Sequence, residues 1–309
     1  MKALFASFAA LSLVSVFALP ACAPTSDVDR LDDANDDTAD ISATSRTHVV
    51  LRRDTRKCAS PMCGGYFVHD VNRKNLNEKY VSGLDFSASD LDSVSIDQVL
   101  GAADGEVVLY GKLGPIESEH HTRAFIVTSA WRGMPGYPTS DADTFYSVED
   151  LGIQCFAAPC DSLEATKLNS TKTTQFTGAN VNLGQHISEE WLAHRVVDGD
   201  ALVAGSFGEG QTYPAGTEEI LFASQVFLKL PEKVGPCVKL SQPYCGDGTV
   251  STYTHTPDRC NAFDQCVEPG ACIALAPTCA DGYVVVSWTA APFACTAYTC
   301  EPAFLYPEQ

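Results

Sequence analysis

The sequence is poor in positive charge. Its 309 residues hold 20 Lys and Arg against 39 Asp and Glu, a net charge of −19. Phosphate binding needs clustered Lys and Arg. Beyond short pairs such as Arg52-Arg53 and Arg56-Lys57 there is no cluster, which argues against nucleic acid as a partner. Catalytic signatures are missing as well. There is no His-Glu-x-x-His, Gly-x-Ser-x-Gly, phosphate-binding loop or dinucleotide fingerprint, so the chain reads as a non-enzyme that uses no cofactor. The absence of a Cys-x-x-Cys pair argues against a thiol redox role. The apolar run Ala3 to Leu19 is too short and too abruptly ended to span a membrane.

Cysteine, by contrast, is abundant. Thirteen cysteines are many for a reducing compartment and normal for an exported protein. Two loops stand out, Cys58-Ala-Ser-Pro-Met-Cys63 and Cys155-Phe-Ala-Ala-Pro-Cys160, with Asn72 and Asn169 each nine residues past the second cysteine. The landmarks around them recur in order. Gly83 and Gly178, Asp104-Gly105 and Asp198-Gly199, and Gly111 and Gly205 follow with small gaps, at a period of about 97 residues. This predicts two tandem repeats, residues 47–140 and 141–233, followed by a disulfide-rich module over 234–309 that holds eight cysteines.

Each repeat reads as α+β, with about five mainly antiparallel strands and one short helix. In the first, Thr47 to Arg53, Tyr66 to Val71, Tyr80 to Phe86, Glu106 to Leu113 and Arg123 to Trp131 are the strands. A capping box at Ser95 and Gln98, with Val94 and Val99 as its staple, predicts the helix. In the second, Phe145 to Val148, Leu163 to Leu168, Gln175 to Val181, Ala201 to Phe207 and Ile220 to Leu230 are strands, and Ser188 caps a helix carrying Glu189 and Glu190 in its first turn. In the tail, Tyr283 to Trp288 is one apolar strand.

The N-terminus reads as a secretory signal over residues 1–21, and Leu19-Pro20-Ala21-Cys22 resembles a bacterial lipobox. The resemblance implies that Cys22 is the lipidated mature N-terminus and that the lipid bilayer is one partner. Residues 22–46 carry seven aspartates and few large apolar side chains, the composition of a disordered acidic tether. Asp33, Asn35 and Asp37 have the spacing of a calcium loop, but Thr38 and Thr44 replace its glycine and closing glutamate, so no metal is assigned there. Setting Cys22 aside leaves an even twelve: Cys58, Cys63, Cys155, Cys160, Cys237, Cys245, Cys260, Cys266, Cys272, Cys279, Cys295 and Cys300. Four thiolates from the two loops could hold zinc, yet the export context favours disulfides. Local pairing within each loop is the simpler arrangement, and pairing between the loops stays open. Eight tail cysteines permit 105 connectivities.

Two further patterns deserve weight as chemistry. His120-His121 sits between Glu117 and Glu119, and Glu190 with His194 shares a helix face; a solvated loop and a surface ion pair are the plainer readings. Cys245-Gly-Asp-Gly248 with Tyr253 resembles the core of Kazal-type protease inhibitors, which implies a surface-anchored inhibitor as the alternative function. The repeated Cys-x4-Cys-x8-Asn unit followed by a cysteine-rich tail resembles, over most of the mature chain, a group of bacterial exported lipoproteins whose duplicated domain has no assigned function. That similarity implies a cell-envelope protein, anchored at the outer membrane, with a binding or structural role toward another protein or an envelope polymer. An unrecognised hydrolase would need a cleft between the repeats in which carboxylates and a histidine converge.

Overall fold

The computed structural model describes residues 45–73, 78–117, 119–184, 186–231, 244–256, 259–273 and 275–306. The apolar leader, Cys22, the acidic segment as far as residue 44 with its calcium-loop pattern, and Cys237 lie outside the described residues.

The chain forms β1 (Thr47–Arg53), β2 (Tyr66–Asp70), β3 (Lys79–Val81), β4 (Leu84–Asp85), α1 (Ser93–Gly101), β5 (Val107–Leu113), β6 (Phe125–Gly133), β7 (Thr144–Asp150), β8 (Leu163–Lys167), β9 (Thr173–Phe176), β10 (Gly178–Asn180), α2 (Glu189–Val197), β11 (Ala201–Tyr213) and β12 (Gly216–Leu230). After these come β13 (Val250–His255), β14 (Asn261–Val267), β15 (Tyr283–Ala290) and β16 (Cys295–Pro302), then a 3-10 turn, Ala303–Leu305. The first twelve strands make one sheet in the order β3-β2-β1-β5-β6-β12-β11-β7-β8-β9. All neighbours on that path are antiparallel, while β4 joins β6 and β10 joins β12 in short parallel pairings. The described residues are therefore mostly β with two short α-helices. The segments 47–140 and 141–233 share one sheet, joined where Ala130–Gly133 of β6 pairs with Phe227–Leu230 of β12. The two α+β units expected from the sequence are in this respect corrected: a period shows what recurs, and says nothing about which edges meet.

Side chains alternate across this sheet, as period-two patterning requires. On β1, Val49 and Leu51 enter one cluster with Val68, Val99, Leu109, Phe125 and Val127 beneath α1. On β11, Ala201 and Val203 enter a second cluster with Phe176, Trp191, Leu192, Val226 and Leu228 beneath α2. The intervening residues Val50, Val108, Trp131, Phe145, Leu202, Ala204 and Phe227 form a third cluster that draws on β1, β5, β6, β7, β11 and β12. Phe125, Phe176 and Phe227 are fully buried, each contributing about 2 kcal/mol or more.

Both helices begin on polar caps, one of them other than expected. α2 starts at Ser188, whose hydroxyl accepts from Trp191 N–H at 3.2 Å. α1 starts at Asp92, not Ser95. The Asp92 carboxylate accepts from Ser95 N–H at 2.7 Å, which holds its pKa below the usual carboxylate range. Gln98 is then free of capping and donates to the Phe304 carbonyl, and Val94 is exposed. An aspartate three residues upstream outcompetes the serine because a carboxylate accepts the same bond with full charge.

Among its described residues the tail holds four strands, where the sequence predicted one, over Tyr283 to Trp288. β13 pairs with β14 and β15 with β16. The tail is docked on the body. Tyr283 Oη donates to the Pro135 carbonyl at 2.9 Å, and Cys300 N–H donates to the His186 carbonyl at 2.8 Å. Leu305 belongs to the cluster beneath α2, and Phe304 packs against the clusters of both helices.

Candidate functional site

Two asparagines organise the junction between the segments. The turn after β2 needs a residue with positive φ, and Asn72 supplies it at 64°; Asn169 does the same after β8 at 60°. Asparagine tolerates this region and brings an amide. Asn72 Nδ2 donates to the carbonyls of Phe145 (2.8 Å) and Leu168 (3.0 Å), and its Oδ1 accepts from Phe145 N–H at 2.8 Å. Asn169 Nδ2 donates to the carbonyls of His48 (2.7 Å) and Val71 (3.1 Å), and its Oδ1 accepts from His48 N–H at 2.7 Å. Each amide is thus wedged where a strand ladder of the other segment ends. It replaces the missing backbone partner, as buried peptide groups require. Arg73 adds a bond from Nη2 to the Asn169 carbonyl at 2.7 Å.

A cleft of about 430 Å³ opens beside Asn72. It is lined by Val50, His69, Asp70, Val71, Asn72, Arg73, Gly105, Thr139, Ser140, Asp141, Asp143 and Phe145. A second hollow of about 330 Å³ adjoins it, sharing Gly105 and Thr139 and adding Asp104, Glu106, Tyr137 and Gln225. Both segments contribute to the first, and His69, Asp70, Asp141 and Asp143 all reach it. The carboxylates are engaged. Asp70 is buried, accepts from the Thr47 hydroxyl and faces Arg73 at 3.6 Å. Asp143 accepts from Ser140 N–H and from the Ser224 hydroxyl at 2.7 Å. Gln225 holds the far wall by donating to the Met134 and Tyr137 carbonyls. Acids, hydroxyls, an amide and a guanidinium beside apolar Val50 and Phe145 form a mixed lining suited to a polar ligand, and the volume suits a small molecule or one or two units of a polymer.

Beside Asn169, His48 is tilted against both Tyr110 at 4.6 Å and Trp131 at 5.6 Å. Burial pushes its pKa down to about 4, against a smaller upward pull from Asn169.

The predicted cysteine loops close locally, Cys58 with Cys63 and Cys155 with Cys160. In the first, Asp54 fixes the entry by accepting from Arg56 and from Gly64 N–H. The bonds to the Arg56 guanidinium hold Asp54 at about 2. Both loops show apolar side chains to solvent, Met62 in one and the fully exposed Phe156 in the other. In the tail, Cys245 pairs with Cys266, Cys272 with Cys295 and Cys279 with Cys300, and Cys260 is also disulfide-bonded. Multiple disulfides fit an extracellular or secretory-pathway protein. His120 lies 3.7 Å from Glu119 in its loop, and Glu190 and His194 are exposed on α2. Among the described residues no three His, Cys, Asp or Glu side chains converge to hold a metal ion.

Sequence reasoning missed two features. Cys245-Gly-Asp-Gly248 has a counterpart in Cys279-Ala-Asp-Gly282. Both are hairpin entry turns, with Gly248 and Gly282 at φ of 80° and 86° and bonds of 3.0 and 3.1 Å closing back onto Gly246 and Ala280. The repeated Cys-x-Asp-Gly was the signal. The other feature is a buried network in the tail. His255 Nε2 meets Glu301 at 2.6 Å, His255 Nδ1 meets Asn261 at 3.1 Å, and Tyr306 Oη donates to Glu301 at 2.6 Å. Nothing in the spacing of these residues announces it.

Over 256 residues the chain is 26% identical to an uncharacterized protein of Dictyostelium discoideum, an alignment that covers 81% of this chain and 84% of that protein. No solved structure matches. A family model matches residues 47–233, the span of the twelve-stranded sheet and the cleft, and the chain belongs to that family, described as a domain of unknown function, DUF6748.

Proposed function

We propose that this is a lipid-anchored cell-envelope protein with a binding role, and that the cleft beside Asn72 receives its partner. The observation that carries the reading is the cleft's lining: polar groups from both segments meet there, and their carboxylates are tied to neighbouring donors, as suits recognition rather than proton transfer. The partner class is an envelope polymer bearing hydroxyl and amino groups. Cys22 carries the lipid, and residues 22–46 act as the tether between bilayer and body. The body arose by duplication of a segment of about ninety residues. Support comes from the sheet order, which reads β5-β1-β2-β3 to one side of the β6–β12 contact and β11-β7-β8-β9 to the other. The reciprocal asparagine wedges and the parallel additions β4 and β10 follow the same relation.

Calorimetric titration of the oxidised chain with soluble cell-wall glycan and peptide fragments tests the binding role. A saturable heat that weakens at least tenfold in Asp141→Lys, a substitution at an exposed rim position, is expected. Absence of heat with every fragment would remove the cleft as the polymer site. Labelling cells with a tagged fatty acid tests the anchor: label is expected on the parent protein and absent from Cys22→Ser.

A second reading, protease inhibition by the tail, draws support from the Cys245–Cys266 bond that holds the Cys-Gly-Asp-Gly turn at the mouth of the β13–β14 hairpin. A disulfide-held loop loses little entropy when bound. Titration of the whole oxidised chain against trypsin-, chymotrypsin-, elastase- and subtilisin-like proteases decides it, with stoichiometric inhibition as the supporting result.

A further inference from the structure

The last hairpin differs from the rest of the chain in charge. From Pro269 to Cys300, 32 residues, Asp281 is the sole charged side chain, in a protein where 19% of residues are charged. Four exposed large apolar side chains lie in the same span: Ile273 (98%), Leu275 (90%), Phe293 (56%) and Val285 (44%). Ile273 and Phe293 are brought together by covalent and hydrogen bonds, while Val285, paired with Cys300, lies toward the base. Gly270 N–H donates to the Phe293 carbonyl at 2.9 Å, and Cys272–Cys295 pins the segment bearing Ile273 beside the turn bearing Phe293. Cys279–Cys300 holds the base of the same segment to β16.

The hairpin has a docked end and a distant end. Its base is fixed to the body through the Tyr283 hydroxyl on the Pro135 carbonyl and the Cys300 N–H on the His186 carbonyl. Its eight paired residues place the turn at residues 291–294 about 25 Å from that base. On the half of the shaft nearest the turn the polar side chains are neutral hydroxyls and aromatics, Ser287, Trp288, Thr289, Thr296 and Tyr298, while Glu301 near the base is buried against His255. An aliphatic tip followed by hydroxyls and amphipathic aromatics is the gradient a bilayer surface presents, hydrocarbon first and headgroups behind. A charged side chain near hydrocarbon is costly, so a span almost empty of charge matters there more than at a protein interface, whose rim is polar and charged. The chain as a whole carries −19 and is repelled by an anionic surface; this hairpin is the part that can approach one.

We propose that the tip of the β15–β16 hairpin, with Ile273, Leu275 and Phe293 as its contact residues, inserts shallowly into the interfacial region of a lipid bilayer. Insertion is shallow because a two-stranded hairpin leaves backbone groups on its edges unpaired, and these must stay hydrated. The proposal rests on the envelope reading for its setting and is independent of lipidation at Cys22.

The test uses the full oxidised chain carrying Cys22→Ser, floated with vesicles of phosphatidylcholine and with vesicles of phosphatidylethanolamine and phosphatidylglycerol. Flotation that persists in high salt is expected, because the contact is apolar. Single Ser replacements of Ile273, Leu275 or Phe293 weaken partitioning about tenfold each, and the triple replacement abolishes flotation. In Phe293→Trp, brominated acyl chains quench the added tryptophan. Equal flotation of parent and triple variant, or an unquenched Trp at position 293, overturns the proposal. So does failure of the parent to float with either lipid, and stoichiometric binding of a protease by the same loop would then assign the surface to that partner. Fatty-acid labelling at Cys22 is unaffected by any of these outcomes, so the anchor reading stands or falls separately.

Discussion

Replacing Asn72 by alanine should be among the most damaging single changes outside the apolar clusters. The amide makes three bonds to peptide groups of Phe145 and Leu168, all between 2.8 and 3.0 Å. At about 1 kcal/mol net per bond, their loss costs about 3 kcal/mol. Alanine at a φ of 64° adds about 1 kcal/mol of backbone strain. The expected loss, about 4 kcal/mol, is a large share of the 5 to 15 kcal/mol of an ordinary domain. Asn72→Gly separates the two causes, since glycine accepts the positive φ and lacks the amide; it should lose about 3 kcal/mol. Urea unfolding of the oxidised protein, followed by circular dichroism, measures both. If Asn72→Gly unfolds at the parent's midpoint, the wedge contributes nothing and the reasoning fails. Asn169→Ala should behave alike, because its amide makes the reciprocal three bonds.

Three further outcomes are expected. His48 has a folded pKa of about 4, below the unfolded value, so the unfolded chain takes the proton first. Stability should fall by about 3 kcal/mol as pH drops from about 6.5 toward 4, and the urea midpoint of His48→Phe should be flatter over that window. His255 has the opposite sign: its bond to Glu301 raises the folded pKa, so its contribution is complete below the unfolded pKa and is lost as pH rises through the folded one; Glu301→Gln should lower the pKa that NMR titration reports for His255. Gly205→Ala should cost about 3 kcal/mol in thermal unfolding, because a Cβ there would stand 2.1 Å from the Phe222 carbonyl oxygen; a cost under 1 kcal/mol would mean that the strand bulge relaxes freely.

The sequence was most informative where one residue type answers one backbone demand. Asn72 and Asn169 were legible as landmarks before their geometry was known, because few residues other than Asn and Gly enter the left-handed region cheaply. Gly111 and Gly205 were legible for a related reason. Each sits at a register shift in its ladder, where a side chain would strike the neighbouring strand's carbonyl. Strand limits followed from alternation and came within a few residues on β1, β2 and β5. Less was legible where partners are distant. Nothing local tells Phe227 that it will face Gly133, or tells Gln98 that it will bond Phe304 at the far end of the chain. The cleft belongs to this second kind. His69, Asp70, Asp141 and Asp143 come from two stretches some seventy residues apart, and each looks like an ordinary surface residue until the sheet closes.

The docking of Phe304 and Leu305 also bears on how the protein would answer a protease. A single cut between Leu230 and Cys237 would divide the chain into two polypeptides with no disulfide between them among the described residues. The tail would nevertheless stay seated, since Leu305, the Tyr283–Pro135 bond and the Cys300–His186 bond all hold it from the far side of the cut. A clipped sample would migrate as one particle in native sizing and as two bands in denaturant. Loss of one peptide bond there would go unnoticed in any assay that never unfolds the protein.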